Sequence, residues 1–218
     1  PAGISSGDVR TDSAMIWGKT DRPSRMLVRW STSPTMNESV QLVRGPAAIA
    51  HSDFTAKLGL TGLPADHKIY YEVSFQSLED LKNLSEPLVG SFRTAPAEAK
   101  NIRFFWSGDT CGQGYGINPD WGGLRIYETM RKLRPDFFLH SGDTIYADGP
   151  ISAEQALPDG SIWKNLTTQA KSKVAETLDE FRGNYAYNLM DHNLMAFHQE
   201  VPVIYQWDDH ETTNNWYP

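Results

Sequence analysis

Over residues 1–95 apolar and polar positions alternate in short runs. Met26, Val28 and Trp30 fall on one face of Arg25–Trp30, and Ile69, Tyr71, Val73 and Phe75 on one face of Lys68–Phe75. A period of two is that of a half-buried β-strand. Ser13–Trp17 and Leu88–Thr94 read as further short strands. Turn formers lie between them: Asp21-Arg22-Pro23, Pro34, Gly45-Pro46 and Pro64. Strands of this length at this spacing predict an all-β sandwich.

Thr94–Lys100 is small, polar and broken by Pro96, as a linker would be. The pattern then changes. Ile102, Phe104, Phe105 and Trp106 make a nearly continuous apolar run, which predicts a strand buried on both faces. Ile126, Met130 and Leu133 recur at helical spacing, and Asp136–His140 reads as a second buried strand. Strand, helix and strand form a βαβ unit with a parallel pair. Lys171–Arg182 predicts a charged helix with Val174, Leu178 and Phe181 on one side, Asn188–Phe197 another helix, and Val201–Trp207 a third buried strand. Residues 96–218 thus read as α/β, with no internal repeat or low-complexity tract.

Composition narrows the function classes. The chain has 218 residues, enough to bury a core without a disulfide framework. Its single cysteine, Cys111, excludes an intramolecular disulfide. With 20 basic against 27 acidic residues, a net charge of −7, it has no basic patch for non-specific nucleic-acid binding. No apolar run approaches the ~20 residues of a membrane span. The chain starts at Pro1, without Met or a signal-peptide pattern, and is expected to begin inside a longer gene product.

The candidate chemistry follows the buried strands. The first ends in Ser107-Gly108-Asp109-Thr110-Cys111, the second in Ser141-Gly142-Asp143-Thr144-Ile145-Tyr146, and the third in Trp207-Asp208-Asp209-His210-Glu211. Parallel strands put their carboxyl ends on one edge of a sheet, where ligands bind. Asp109, Asp143, Asp208 or Asp209, and His210 would therefore share that edge. Clustered carboxylates repel one another unless a cation neutralises them, so a metal site is the simple solution. Aspartate oxygens suit Ca²⁺ or Mg²⁺. The Cys111 thiolate and the Tyr146 phenolate suit a transition metal, iron foremost. Such a mixed cluster would polarise a phosphoryl group and activate water for in-line attack.

Other motifs carry less. Gly112–Gly116 is glycine-rich but lacks the Lys of a P-loop and the spacing of a dinucleotide fingerprint. Asp143–Glu154 has the length of an EF-hand loop without its ligands. His192 and His198 are not on one helical face and read as surface or core residues, and His140 as a hydrogen-bonded core histidine. Asn165-Leu166-Thr167 has the spacing of a glycosylation acceptor.

These residues resemble the PhoD-like phosphodiesterases and alkaline phosphatases, a branch of the metallophosphatases. Ile4–Val9, with Asp12-Ser13-Ala14 and Ile16-Trp17, is similar to the start of their N-terminal sandwich, and Leu63-Pro64 before Tyr70-Tyr71 resembles the loop-to-strand corner of fibronectin-type sandwiches. Ser141–Tyr146 and Trp207–Glu211, with Asn214-Asn215 after it, resemble the family's second and third metal motifs. The resemblance implies a sandwich over residues 1–95, then the first half of an α/β metallophosphatase domain over 96–218. It implies Fe³⁺ with Ca²⁺, hydrolysis of phosphate mono- or diesters by a metal-bound hydroxide, and export. Residue by residue it makes Cys111 and Tyr146 iron ligands, Asp109 the acidic member of the first motif, and Asp143 the bridging ligand. Asp209 takes the place of a metal-binding Asn, and His210 supports the phosphoryl group. Asn214 or Asn215 holds calcium, Asn215 being preferred. The family's His-bearing motifs lie further along, so the chain is expected to be an N-terminal portion that works with the rest of the enzyme. A second reading is a non-catalytic module that binds a carbohydrate or a partner through Ca²⁺.

Overall fold

The structure, a computed structural model, describes residues 2–217. The chain divides into two compact units. One takes the described residues up to Phe104 with Arg134–Phe138 and Phe197–Ile204; the other takes Phe105–Leu133, Leu139–Ala196 and the described residues from Tyr205 onward.

The described residues before Phe104 form seven strands: β1 (Gly3–Gly7), β2 (Ser13–Lys19), β3 (Ser24–Ser31), β4 (Gln41–Ala48), β5 (Thr55–Thr61), β6 (Lys68–Ser77) and β7 (Leu88–Arg93). They form two antiparallel sheets, β1-β2-β5 and β4-β3-β6-β7. The register of β3 on β6 sets Met26 opposite Phe75, Val28 opposite Val73 and Trp30 opposite Tyr71. That places the apolar face of each strand inward. It meets Ile4, Ile16 and Leu60 of the other sheet in one core. β1, β4 and β5 escape the sequence pattern for a physical reason. They are the edge strands of the two sheets, apart from β7, and carry small or polar residues with little alternation. Pro46 is tolerated in β4 because an edge strand has an unpaired side.

A third sheet, of order β12-β9-β8, comprises β8 (Phe104–Ser107), β9 (Phe137–His140) and β12 (Val203–Tyr205). On one side of β9, Asp136 N–H donates to Arg103 O and Ser141 N–H to Ser107 O. On the other, Phe138 N–H donates to Pro202 O and Gln206 N–H to His140 O. Partner numbers rise together in both cases, so the strands are parallel. The expectation that β8 is buried on both faces fails. Trp106 is 70% exposed and Phe104 51%. Phe104 stacks on Phe137 at 5.0 Å, and β12 leaves Ile204 exposed, so one face of this sheet has no cover among the described residues.

The helices also shift. α1 (Arg125–Lys132) buries Tyr127 and Met130, whereas Ile126 and Leu133 are exposed. No helix starts at Lys171. α2 (Leu178–Asn188) begins after Thr177, whose hydroxyl accepts from Glu180 N–H while the Glu180 carboxylate accepts from Thr177 N–H. This capping box fixes the start of the helix. Upstream, Ala175 N–H donates to Ala147 O, which holds the segment extended, and Val174 and Leu178 stay exposed. α3 (His192–Glu200) starts four residues later than the apolar pattern suggested. A hairpin absent from the sequence reading, β10 (Glu154–Ala156) with β11 (Ile162–Lys164), completes the elements.

The sandwich core gives a direct test. Ile69 is fully buried on the central strand β6, opposite Phe92. Ile69→Ala is expected to cost about 2–5 kcal/mol, read as a lower urea midpoint. A loss under about 0.5 kcal/mol, the level of surface substitutions, would contradict this core.

Candidate metal centre

Three loops leave the carboxyl ends of β8, β9 and β12, and backbone bonds tie them together. Asp109 N–H donates to Gly142 O (3.1 Å) and Thr110 N–H to Asp143 O (2.8 Å), joining the first loop to the second. Ala147 N–H donates to His210 O (3.0 Å) and His210 N–H to Asp143 Oδ1 (3.2 Å), joining the second to the third. The buried Glu211 carboxylate accepts from Asp143 N–H (3.2 Å), Thr144 N–H (2.5 Å) and Asp208 N–H (2.7 Å). Gly142 has φ +112°, and a Cβ there would lie 2.3 Å from the Cβ of Asp208, so this crossing requires glycine.

The backbone here is unusual. Asp109 (φ 62°), Cys111 (58°), Gln113 (57°), Asp143 (54°) and Asn215 (58°) all take the left-handed conformation. Each costs a non-glycine residue energy, and such residues persist where surrounding bonds over-determine them, typically at functional sites.

This scaffold brings Asp143, Asp209 and His210 together, each offering a ligand atom within 4.8 Å of the others. Beside them the Tyr146 hydroxyl donates to Asp109 Oδ2 at 3.0 Å. The Tyr146 ring stacks on the His210 imidazole, with centroids 4.3 Å apart. Gly112 lies over the phenolic end of that ring, where a Cβ would come within 2.3–2.5 Å of Cζ, Cε1 and Cε2. The buried Lys171 ammonium donates to Tyr146 O (3.0 Å) and Gly149 O (3.5 Å), fixing the stretch that carries Tyr146 and Asp148. On the other side of the strand ends His140 is buried, with Nε2 2.9 Å from Thr110 Oγ1, which is 2.8 Å from the Tyr127 hydroxyl.

Charge follows from these contacts. Burial raises the Asp143 carboxyl, and Asp109 and Glu211 raise it further, against the opposing bond from His210 N–H. Burial and the hydrogen bond to Asp109 raise the Tyr146 phenol and keep it neutral. For His210, burial pulls downward but is outweighed by Asp148, whose carboxylate lies 2.8 and 3.0 Å from Nδ1, so its pKa is raised. Burial pushes the Cys111 thiol up to about 12. A cation reverses all of the penalties on acidic groups, because it favours the anion of every ligand it touches. The donor set therefore fits a metal.

Among the expected ligands, Asp143 and Asp209 join the expected catalytic His210 in the close group, Asp109 and Tyr146 are bonded to each other beside it, and Cys111 is not part of it. Cys111 follows Asp109 in the same loop and packs against Ile117, Ile151 and Tyr187. Asn215 has an exposed side chain, and it is its N–H that bonds to Asp209 Oδ2. Asn214 N–H similarly donates to Asp148 Oδ2 (2.6 Å). Asp208 is exposed, which leaves Asp209 as the cluster's acid in that motif. Sequence reasoning gave no role to Glu211 and Lys171, and it took Asp148 for a loop acid near the site rather than the partner of His210. Asp148 lies two residues beyond Tyr146, and the orientation that lets it hold His210 is a matter of loop geometry. Asn165 is not available as a glycosylation acceptor. It is buried, its Nδ2 donates to Gly114 O and Ser152 O, and its Oδ1 accepts from Gly116 N–H and Trp163 Nε1.

A three-stranded parallel sheet with acidic loops at its carboxyl edge, which follows an antiparallel sandwich along the chain, defines the N-terminal part of a metallophosphatase fold. Models of the PhoD-like phosphatase N-terminal domain and of the PhoD-like phosphatase match residues 1–96 and 104–218, and the chain belongs to the PhoD-like phosphatase family. It is 27% identical to alkaline phosphatase D of Bacillus subtilis (strain 168), over 98% of this chain and 35% of that protein. It thus spans about a third of that relative's length. A solved structure of PhoD superposes with a TM-score of 0.77 at 24% identity, covering 99% of this chain and 40% of the other. Purple acid phosphatase PPD1 from yellow lupin (Lupinus luteus) seeds superposes at 0.56 and 12% identity, covering 93% of this chain and 34% of the other, a likeness of fold.

Two outcomes are expected here. Gly112→Ala forces the Tyr146 ring to move and should cost about 1–3 kcal/mol in denaturant unfolding, the range of overpacking. Gly59→Ala, which meets open space, is the control. In metal-free protein, an NMR titration should find His210 above the 6.5 of an ordinary imidazole. Because the folded value is the raised one, the Asp148 pairing stabilises fully below that pH and fades as pH rises through the folded pKa. Asp148→Asn should bring the titration back toward or below 6.5, and an unshifted His210 would contradict the pairing.

Proposed function

We propose that this chain carries the first part of an active site that hydrolyses phosphate mono- or diesters with Fe³⁺ and Ca²⁺. The observation that supports this most directly is the grouping of Asp143, Asp209 and His210 at one strand edge, beside the Asp109–Tyr146 pair. Asp109, Cys111 and Tyr146 would hold the iron, Asp143 would bridge, and Asp209 with Asn215 would hold calcium. Tyr146 and Cys111 are neutral in their surroundings, so an ion that takes both as anions must be strongly Lewis-acidic, which suits Fe³⁺ better than a second Ca²⁺. When bound, the metals supply polarisation of the phosphoryl oxygens and a water acidic enough to attack as hydroxide.

The chain's own residues supply position and a proton. Asp148 accepts at Nδ1 of His210 and fixes the ring, leaving Nε2 to donate toward a phosphoryl or leaving-group oxygen. The stacked Tyr146 ring limits rotation of that imidazole. Asp143 takes the His210 N–H on Oδ1, which ties the expected bridging acid to the loop that carries His210.

The bare sheet face supports the expectation of a further segment. Phe104, Trp106 and Ile204 are exposed on β8 and β12, and an apolar patch of this kind marks a surface that is covered in the working protein. We read the cover as a second sheet of the same enzyme, whose histidines complete the ligand set. Export is likewise part of this reading. Among the described residues no helix is long and apolar enough to cross a membrane.

The test is metal content and ester hydrolysis together. Asp143→Asn should lower iron and calcium content and cut hydrolysis of p-nitrophenyl phosphate and its diester by on the order of a hundredfold or more. Asp159→Asn, in an exposed turn bonded to Ser161, should change neither. Calcium without iron, and no hydrolysis, would favour the binding-module reading instead.

A further inference from the structure

The loop that runs over Tyr146 continues into an aromatic shelf that the metal chemistry does not use. Tyr115 N–H closes a turn on Gly112 O at 3.0 Å, so Tyr115 is one turn from the residue lying on the Tyr146 ring. The Tyr115 ring meets Trp163 edge-on, with centroids 5.9 Å apart, and Trp163 meets Trp121 at 5.0 Å in a second edge-to-face contact. Trp163 is part-buried on β11, and Trp121 is 52% exposed.

The shelf is built rather than incidental. The Trp163 indole N–H donates to Asn165 Oδ1 at 2.8 Å. The same oxygen accepts from Gly116 N–H at 2.7 Å, and Asn165 Nδ2 donates to Gly114 O. One buried amide thus locks Trp163 to the loop that carries Tyr115 and that covers Tyr146. Gly114 lies against Gln155 of β10, which ties the hairpin to the same loop. Rigid aromatic surface joined to a polar, charged site is the general form of a small-molecule pocket wall.

We propose that Tyr115, Trp121 and Trp163 form a specificity subsite for a ring-bearing alcohol portion of the phosphoester held at the metal centre. The inference rests on the phosphoesterase reading above. The occupant follows from the surface. Flat π-faces and edges favour stacking of a planar ring. The charges nearby, Lys164 paired with Asp120 at 3.7 Å, offer no net anion-binding cluster that would draw the phosphate itself away from the metals.

Trp121→Ala is the cleanest variant, because Trp121 is exposed and Trp163→Ala would also break the bond to Asn165. Two readouts are compared. In turnover, Trp121→Ala should lower kcat/KM about tenfold for a naphthyl phosphodiester, mainly through KM, and change that for a dialkyl phosphate by less than about twofold. Trp121→Phe should restore most of the loss. In binding, tryptophan fluorescence should show phenyl phosphate held about tenfold more tightly than methyl phosphate by the parent, and equally by Trp121→Ala. Turnover with no ring preference in either readout overturns the subsite while leaving the phosphoesterase reading intact. Ring-selective binding with no turnover of any ester overturns the phosphoesterase reading, and with it the role of the shelf in catalysis.

Discussion

The candidate site depends on a carboxylate outside the close group of Asp143, Asp209 and His210. Glu211 is buried and accepts three backbone N–H groups, two from the loop after β9 and one from the loop after β12. It therefore fixes the separation of the two loops that present Asp143 and Asp209. The fixation matters because those two carboxylates repel. At about 4 Å and an effective dielectric of about 20 the repulsion is about 4 kcal/mol. Hydrogen bonds to a charged acceptor contribute about 1.5–3 kcal/mol each, so three of them can hold the loops against that repulsion before any cation arrives. The buried carboxylate acts as structural anion, and the remaining acids stay available as ligands.

The sequence carried the parts of this arrangement that depend on period and strand ends. Alternation marked β3 and β6, β2 and β7 read as further short strands, and the three Asp-bearing motifs followed apolar runs that do become parallel strands. Edge strands were invisible because they bury little. β4 contains Gly45-Pro46 and pairs on one side only, so neither propensity nor alternation marks it. The start of α2 is legible in its capping residues rather than in the apolar spacing. Thr177-Leu178-Asp179-Glu180 is a capping box, and it outranks the apolar spacing of Val174, Leu178 and Phe181. β8 teaches a different lesson. An apolar run says that both faces favour cover, not that the same stretch of chain supplies it. Within the site, residue types and the order of loops were readable. The roles of Asp148 and Glu211 were not, because both come from contacts across more than sixty positions.

The same limit applies to the two asparagines. Side-chain chemistry made Asn215 a calcium ligand by analogy. In the structure the adjacent N–H groups of Asn214 and Asn215 reach Asp148 and Asp209 respectively. One turn therefore orients both the acid that holds His210 and the acid in the metal group. A backbone donor works whatever the side chain, so a role of this kind leaves no signature in residue type.

These contacts arrange the site in an order. Tyr146 and Asp109 share one proton at one end, His210 and Asp148 share another at the far end, and Asp143 lies between, raised by burial and by its acidic neighbours. The two ends are not independent, because the Tyr146 ring stacks on the His210 imidazole and Lys171 holds the Tyr146 carbonyl from behind. In the reading proposed above, a cation held by the group of Asp143, Asp209 and His210 would favour the Asp143 anion. The geometry thus links the Tyr146–Asp109 pair and the His210–Asp148 pair through Asp143 within one cluster of three loops.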